Sequence, residues 1–174
     1  MREERKDKKV MTKKIIHIYT DGACDNIDTK QGSWAFVMLN SKETRIVAEK
    51  SGAKEATTNN RMEMRAAMES IKHFLFMCLE KSLEPSDFTL VIHSDSQYVV
   101  KGISEWIIKW EKKGYKGVKN DLLWKEFLNL KKAAGDVTFK WVKAHVGNRW
   151  NEYADSMCSK LCKNANSHLK YIRR

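Results

Sequence analysis

The stretch "IIHIYTDGAC" covers residues 15–24 and begins with side chains that favour β-structure. This pattern predicts a buried strand over residues 14–20. The strand leads straight into Asp21 and Gly22, although an uncompensated carboxylate is costly to bury. One interpretation is a turn, because Asp-Gly is a strong hairpin signal. The other is a metal ligand, which requires further carboxylates at the same place.

The remaining hydrophobic pattern predicts an α/β fold. Short connections between the first three predicted strands indicate antiparallel neighbours, and helices between the later strands indicate parallel crossovers. We therefore expect a five-stranded mixed sheet, three antiparallel strands plus two parallel ones, flanked by helices. The predicted strands cover residues 14–20, 33–40, 44–50, 88–94 and 137–143. The predicted helices cover residues 60–81, 96–113, 121–134 and 149–163.

Composition narrows the class of protein. A chain of 174 residues with 42% hydrophobic content and six Trp is expected to form one domain with a proper core. No run of about 18 apolar residues is present, which predicts no membrane span, and the N-terminus lacks a signal-peptide apolar region. The four cysteines have no zinc-ribbon or disulfide-framework spacing. We therefore expect reduced thiols and a cytoplasmic location.

The net charge of +11 arises from 33 Lys and Arg against 22 Asp and Glu. Such an excess is typical of a protein that binds a polyanion, nucleic acid first and an anionic membrane second; solubility alone is the alternative explanation. Positive charge is dense at both ends of the chain. We expect a disordered basic tail over residues 1–13, a folded domain over residues 14–163 and a basic tail over residues 164–174.

Three more acidic residues are candidates to join Asp21. Asp95 follows a predicted strand, at the edge where sites form in α/β sheets, and its alternative role is to cap the next helix. Glu63 has apolar neighbours on both sides, which indicates an inward position, but Asn60 and Glu63 also form a capping-box pattern. Asp155 lies in the last predicted helix, where a solvated face is the alternative.

Carboxylate oxygens are the ligands that hard divalent cations prefer, and Mg²⁺ completes its shell with water and substrate phosphate. Two such ions about 4 Å apart stabilise both the attacking and the leaving oxygen of a phosphodiester displacement. Four carboxylates also offset the charge of two dications. A basic protein with an acidic centre is therefore predicted to hydrolyse a polyanion.

Four blocks of sequence resemble the signature blocks of type 1 ribonuclease H, in the order that this family has them. They are "YTDGAC" (19–24), "TTNNRMEM" (57–64), "SDSQYVV" (94–100) and "WVKAHVGNRWNEYAD" (141–155). The resemblance covers roughly residues 14–162. It implies a metal-dependent endonuclease that cuts the RNA strand of RNA–DNA hybrids, leaving 5′-phosphate and 3′-hydroxyl ends. It also implies a monomer with two Mg²⁺ ions, for which Mn²⁺ can substitute.

The same resemblance assigns catalytic roles. Asp21 would bridge both ions, Glu63 and Asp95 would bind one of them, and Asp155 would bind the other. His145, in the loop before the last helix, would assist proton transfer or product departure, with a plain surface histidine as the alternative.

Binding roles follow in the same way. Contacts to RNA 2′-hydroxyls are implied for the backbone near Gly22 and Ala23 and for the side chains of Asn59, Asn60, Gln97 and Glu63. A phosphate pocket for the DNA strand is implied at Thr58 and Asn120. A basic handle, residues 105–120, would place aromatic rings on bases or sugars and lysines on phosphates; a solvated amphipathic helix is the alternative. The handle residues are Trp106, Trp110, Lys112, Lys113, Tyr115, Lys116 and Lys119.

Three features depart from the family pattern. Ala56 stands where an arginine is common, two positions before the pocket threonine, which predicts a weaker grip on DNA phosphate. The handle loop after Tyr115 is short. The loop "CDNIDTKQGS" (24–33) lacks a glycine-rich run, and Asn26 is a candidate to replace the asparagine contact usual there.

Other functions remain open from the sequence. A retroviral-type integrase or a 3′–5′ exonuclease shares the first carboxylate strand but not the blocks "TTNNRMEM" and "AHVGN". A non-catalytic or specialised hybrid-binding protein would be expected to have lost a carboxylate, and all four are present. A ribonuclease H domain of a reverse-transcribing element is a further alternative.

Overall fold

The computed structural model describes residues 12–25 and 30–172, with side chains described as far as residue 161. Within these residues, five strands form one sheet in the order β3–β2–β1–β4–β5. Pairs β1–β2 and β2–β3 are antiparallel, whereas pairs β1–β4 and β4–β5 are parallel. The predicted fold class is therefore confirmed. The strands are β1 (Lys14–Cys24), β2 (Gly32–Leu39), β3 (Ile46–Lys54), β4 (Phe88–Ser94) and β5 (Asp136–Trp141).

Helices cover both faces of the sheet. A 3₁₀ turn, Pro85–Asp87, precedes β4, and a π-helical turn, Gly102–Trp106, joins the second helix to the third. None of the helices within residues 12–25 and 30–172 is long and apolar enough to cross a bilayer. The helices are α1 (Asn59–Glu80), α2 (Gln97–Lys101), α3 (Ile107–Lys112), α4 (Asp121–Ala134) and α5 (Arg149–Ile172).

The sheet separates two apolar clusters of unequal size. The larger one lies under α1 and α4 and is built around fully buried side chains such as Phe36, Phe74 and Trp124. The smaller one lies under α5, where Tyr19 and the β2 side chains Val37 and Leu39 pack against Trp150 and Tyr153. The sheet is thus buried on both faces at β1 and β2, which fixes the register of the strand that carries Asp21.

β1 is longer than predicted, and of the two interpretations of Asp21 the turn is wrong. The strand continues through Asp21 to Cys24, because β2 extends alongside it. Asp21 pairs with Ala35, and Cys24 pairs with Gly32. The backbone groups of residues 21–24 therefore form their hydrogen bonds with β2 instead of within a turn.

Other boundaries also move. β3 begins at Ile46 instead of residue 44, because the Asn40 side chain accepts hydrogen bonds from the amides of Thr44 and Arg45 and closes the turn there. The predicted helix 96–113 is divided by the π-helical turn. The last helix runs to Ile172, well beyond the predicted end at residue 163. Residues 1–11, 26–29 and 173–174, which include most of the predicted N-terminal tail and Asn26, lie outside the described residues.

Candidate active site

Parallel pairing of β1 and β4 brings two carboxylates together. Thr20 pairs with Ser94, so Asp21 on β1 and Asp95, the residue directly after β4, lie beside each other. Glu63 reaches the same point from α1, which packs across β1. The carboxylate oxygens of Asp21, Glu63 and Asp95 lie within 4.8 Å of one another. Three of the four predicted acidic residues therefore converge on one place, as a metal site requires.

The packing of α1 on β1 depends on Gly22. A Cβ at this position would overlap the backbone of Met62 and Glu63, so only glycine lets the helix approach so closely. The Gly22 amide is hydrogen bonded to the carboxylates of Asp21 and Glu63. The residue therefore acts as a spacer that holds both acidic groups at the sheet edge.

The start of α1 leaves Glu63 without a capping role. Thr58 is the N-cap, and its hydroxyl accepts a hydrogen bond from the Arg61 amide at 3.3 Å, so the capping box of Asn60 and Glu63 is wrong. Glu63 is only 7% exposed. Its Oε2 atom is buried with no hydrogen-bond partner among the described residues. An orphaned carboxylate oxygen in such a place is suited to a cation.

Asp155 approaches the group from α5 but lies outside the 4.8 Å cluster. It is half-buried, and its charge raises the pKa values of Asp21 and Asp95. The solvated face is therefore wrong for Asp155. One turn earlier, the buried Asn151 is hydrogen bonded to the carboxylate of Asp95. Sequence reasoning missed Asn151, although its spacing of four residues from Asp155 places both on one helix face.

Two further contacts dock α5 at the site. The Cys158 thiol lies 3.2 Å from the backbone carbonyl oxygen of Asp21, and the Ser33 hydroxyl donates to the Cys158 carbonyl at 3.0 Å. Asp95 is held from the β5 side, where the Trp141 indole N–H donates to its backbone carbonyl at 3.0 Å. Asp95 does not cap α2, because Ser96 is the N-cap.

The carboxylates disfavour their own ionisation when no cation is present. Burial, followed by the charges of Asp95 and Asp155, raises the pKa of Asp21 to about 7. Burial and the charge of Asp21 raise the pKa of Glu63 well above its usual range. Burial also raises the pKa of Asp95, and the Asn151 hydrogen bond and His145 oppose that rise. A divalent cation would reverse this balance by favouring the ionised forms.

His145 lies in the exposed loop before α5. Its backbone is left-handed, with φ 54°, a conformation uncommon for a residue with a side chain. It is close enough to Asp95 for its charge to lower the pKa of that carboxyl group. The structure thus puts His145 beside the carboxylates, and its catalytic role stays a prediction.

The comparisons with known proteins agree with this geometry. A sequence model described as RNase H matches residues 13–163. The chain belongs to the ribonuclease H family. This confirms the family predicted from the four sequence blocks and the prediction that the chain is an enzyme of the hydrolase class.

Individual relatives cover most of the chain. The chain is similar to the ribonuclease H of Treponema denticola, with 38% identity over 156 residues, 84% of this chain and 96% of that protein. It is similar to the ribonuclease HI of Caulobacter vibrioides, with 38% identity over 164 residues, 91% of this chain and 99% of that protein. Among solved structures it resembles LC9-RNase H1, a type 1 RNase H with the type 2 active-site motif. That match has a TM-score of 0.70 and 26% identity, and covers 85% of this chain and 72% of that one.

The residues of the predicted phosphate pocket also come together. Asn120 has a left-handed backbone, with φ 58°, and its Oδ1 accepts a hydrogen bond from Arg61 Nε at 2.8 Å. Its Nδ2 donates to the Tyr98 hydroxyl at 3.2 Å. Arg61, which sequence reasoning did not select, thereby joins this group of residues. The cavity is lined by Thr58, Asn59, Asn60, Arg61, Lys119 and Asn120.

The handle is less open than predicted. Trp106 and Trp110 are half-buried, and their ring centroids lie 5.8 Å apart. Trp110 also packs against the fully buried Trp124, with 5.3 Å between the ring centroids. Tyr115 is also half-buried, with the Lys125 ammonium 5.1 Å from its ring centroid. These rings therefore use much of their surface for packing, whereas the handle lysines are exposed: Lys112, Lys113, Lys116 and Lys119.

Proposed function

We propose that this chain hydrolyses the RNA strand of RNA–DNA hybrids at the carboxylate cluster. The observation that carries the proposal is the group formed by Asp21, Glu63 and Asp95, whose oxygens lie within 4.8 Å of one another. Membership of the ribonuclease H family supports the choice of substrate. The net charge of +11 supports binding to a duplex polyanion.

The donor set fits hard divalent cations, because all candidate ligands are carboxylate oxygens and one of them is buried with no hydrogen-bond partner in the described part of the chain. Two Mg²⁺ ions, when bound, would act as Lewis acids toward the attacking and leaving oxygens. Asp21 would contact both ions, Glu63 and Asp95 would hold one, and Asp155 would hold the other. Mn²⁺ would substitute for Mg²⁺.

The reaction is an in-line displacement at phosphorus. The oxygen of a water molecule forms a bond to phosphorus as the bond from phosphorus to the RNA 3′-oxygen breaks. The products are a 5′-phosphate on one fragment and, after protonation, a 3′-hydroxyl on the other. The imidazole of His145 would take up or deliver a proton, or speed product departure, from its exposed loop beside Asp95.

Strand choice would depend on groups that surround the cluster. Asn59 Oδ1 already accepts a hydrogen bond from the Cys24 amide at 2.9 Å, which leaves its NH₂ group to donate to a 2′-hydroxyl. Asn60 and Gln97 are exposed and would read 2′-hydroxyls in the minor groove together with the backbone near Gly22 and Ala23. The Thr58–Asn120 pocket and the handle would hold the DNA strand.

The decisive test is Asp95→Asn, because the amide preserves shape and removes the charge that holds a cation. Asp87→Asn is the matched control, since Asp87 is an exposed carboxylate beside the other end of β4. Both variants and the wild type are given labelled RNA–DNA hybrid, duplex DNA and duplex RNA, each with Mg²⁺ and with chelator.

We expect the wild type and Asp87→Asn to cut only the RNA of the hybrid, and only with Mg²⁺. Asp95→Asn should still bind the hybrid but lose several orders of magnitude in rate, as expected for a two-metal site. Near-wild-type turnover by Asp95→Asn would contradict the assignment. Hybrid binding without cleavage by the wild type would favour the non-catalytic alternative. The monomeric state, the cytoplasmic location and the two basic tails remain predictions.

A further inference from the structure

A second group of potential metal ligands lies apart from the carboxylate cluster, on the face of the sheet that α5 covers. It consists of His17 on β1, His93 on β4 and Glu43 in the turn between β2 and β3. One ligand atom from each residue lies within 4.8 Å of the other two. His17 Nδ1 is 3.1 Å from His93 Nε2 and 4.0 Å from Glu43 Oε1. No step of the proposed reaction uses these residues.

Strand register brings the three side chains together. His17 pairs with Val91, and Tyr19 pairs with His93, so the two histidines are diagonal neighbours on one face of the parallel pair. The sheet order thus joins residues that are 76 positions apart in the chain. Sequence spacing contains no sign of this arrangement.

Neighbouring residues hold the group in place. The Tyr19 ring stacks on His93, with 4.3 Å between centroids and 6° between planes. The Tyr19 hydroxyl donates to Glu43 Oε1 at 2.6 Å, and the Trp150 indole N–H donates to the Glu43 carbonyl at 3.2 Å. The His93 imidazole and the Glu43 carboxylate are therefore oriented before an ion binds, which reduces the entropic cost of binding that ion.

The distance between the two imidazole nitrogens suits a tetrahedral metal ion. Nitrogen ligands at about 2.0–2.1 Å from zinc lie about 3.3 Å apart, close to the observed gap between the two imidazoles. Only one N–H can point into that gap, so at least one ring nitrogen faces it with a lone pair. Two imidazoles and one carboxylate form a donor set that zinc uses with its fourth position open. Solvent reaches the group, since the side chains of His17 and Glu43 are 18% and 36% exposed.

We propose that His17, Glu43 and His93 bind a transition-metal dication, Zn²⁺ in the first place, at a site independent of the catalytic carboxylates. Imidazole nitrogen suits Zn²⁺, whereas Mg²⁺ prefers oxygen ligands in octahedral geometry, so the two sites select different ions. An ion at the second site links β1, β4 and the β2–β3 turn. Its binding should therefore raise the thermal stability of the protein.

The test is a calorimetric titration with Zn²⁺ in the presence of saturating Mg²⁺, which keeps the carboxylate cluster occupied. The variants are His17→Gln and Glu43→Gln; the second retains an oxygen that accepts from Tyr19 and alters only a half-exposed turn. The matched control is Glu49→Gln, because Glu49 also accepts from a tyrosine, Tyr153, at 2.7 Å, but is outside the histidine group. A second readout is the imidazole ¹⁵N spectrum, which reports directly on His17 and His93.

We expect one Zn²⁺ to bind to the wild type and to Glu49→Gln, with an affinity at least about tenfold higher than in His17→Gln and Glu43→Gln. The ¹⁵N signals of His17 and His93 should shift on titration. Equal Zn²⁺ affinity in the wild type and both variants would overturn the proposal, as would binding that Asp95→Asn removes while the histidine signals stay unchanged. Absence of Zn²⁺ binding would also overturn it, and would reduce the group to a hydrogen-bonded network.

Discussion

The backbones of Gly22 and Glu63 are in such close contact that a single added carbon atom at Gly22 would overlap the Glu63 nitrogen. Because of this contact, the first turns of α1 pack directly against β1, the strand that carries Asp21. It thereby sets the distance between the Glu63 carboxylate and the two aspartates.

Gly22→Ala should therefore lower both stability and turnover. Overpacking typically costs about 1–3 kcal/mol, and the helix must shift away from β1, which displaces Glu63. Ile71→Val is the control, because Ile71 is buried in the main core and the change costs about 0.5–1.5 kcal/mol without touching the site. Urea unfolding and saturating turnover are measured for both variants. Full turnover in Gly22→Ala would show that the site tolerates the shift.

Asp21→Asn should stabilise the metal-free protein above neutral pH. The pKa of Asp21 is raised from 3.8 to about 7 in the folded state, so its contribution to stability is complete below about pH 4 and is lost as the pH rises through about 7. The amide avoids that loss. We expect the variant to exceed the wild type in Tm at about pH 8 by a few degrees, since about 1 kcal/mol corresponds to about 2–4 °C at this size, and by less at about pH 5.

Mg²⁺ should reverse the order of these Tm values at about pH 8, because binding to the folded wild type adds stability that the variant cannot gain. Thermal melts with Mg²⁺ and with chelator provide the measurement, and Asp87→Asn serves as the control. The opposite result would be a wild type that is more stable than Asp21→Asn in chelator at about pH 8. It would mean that other groups of the protein already compensate the negative charge of Asp21 without metal.

His145→Ala should slow saturating turnover by roughly 10² or less, because general acid–base groups are typically worth about 10²–10⁴ and this residue is not among the proposed ligands. His73→Ala, on α1, is the control. Single-turnover rates with hybrid separate the chemical step from product release. A loss as large as that of Asp95→Asn would mean that the histidine is indispensable to the chemistry.

Replacing Lys112, Lys113, Lys116 and Lys119 by Ala should weaken hybrid binding and flatten its salt dependence. Each lysine that contacts a phosphate contributes about −0.9 to the slope of log K against log salt. KM should rise while kcat stays nearly unchanged, because these side chains would bind ground and transition states alike. Because the handle loop is short and Ala56 stands where an arginine is common, we expect only some of the four lysines to contact DNA, and the slope to change by less than the roughly 3.6 that four contacts would give.

The control replaces three exposed lysines elsewhere on the surface, Lys42, Lys50 and Lys81, and slopes are compared per lysine removed. An equal change in both variants would show that the handle lysines act only through net charge. A fall in kcat of the handle variant would place the handle nearer to the carboxylates than we propose.

The sequence predicted the parts of the fold that have clear local signals. The bounds of β4 and α4 match the predicted ranges 88–94 and 121–134, because each is a continuous apolar or periodic run between turn residues. β1 was predicted too short, since a carboxylate followed by glycine has the local signature of a turn. The pairing with β2 that overrides this signature is a tertiary contact, which a single strand does not reveal.

In the site, too, some residues could be predicted from local sequence, whereas others depend on tertiary contacts. Asp21, Glu63 and Asp95 were selected because their type and position fit one chemistry. Asn151 and Arg61 were missed, because an amide or a guanidinium near a helix start usually has an ordinary surface role. The association of His17 with His93 depends entirely on β1 and β4 being neighbours. Partners of this kind become visible only when the sheet order is known.

The register of β1 against β4 also determines which changes in chain length the protein can tolerate. Successive side chains in a strand alternate between the two faces, so one residue inserted into β1 before Asp21 would turn this carboxylate from one face of the sheet to the other. An insertion of two residues would restore the face but move the group by about 7 Å along the strand. The length of this strand is therefore constrained more strictly than its composition, and we expect the protein to tolerate insertions and deletions only in segments outside β1 and β4.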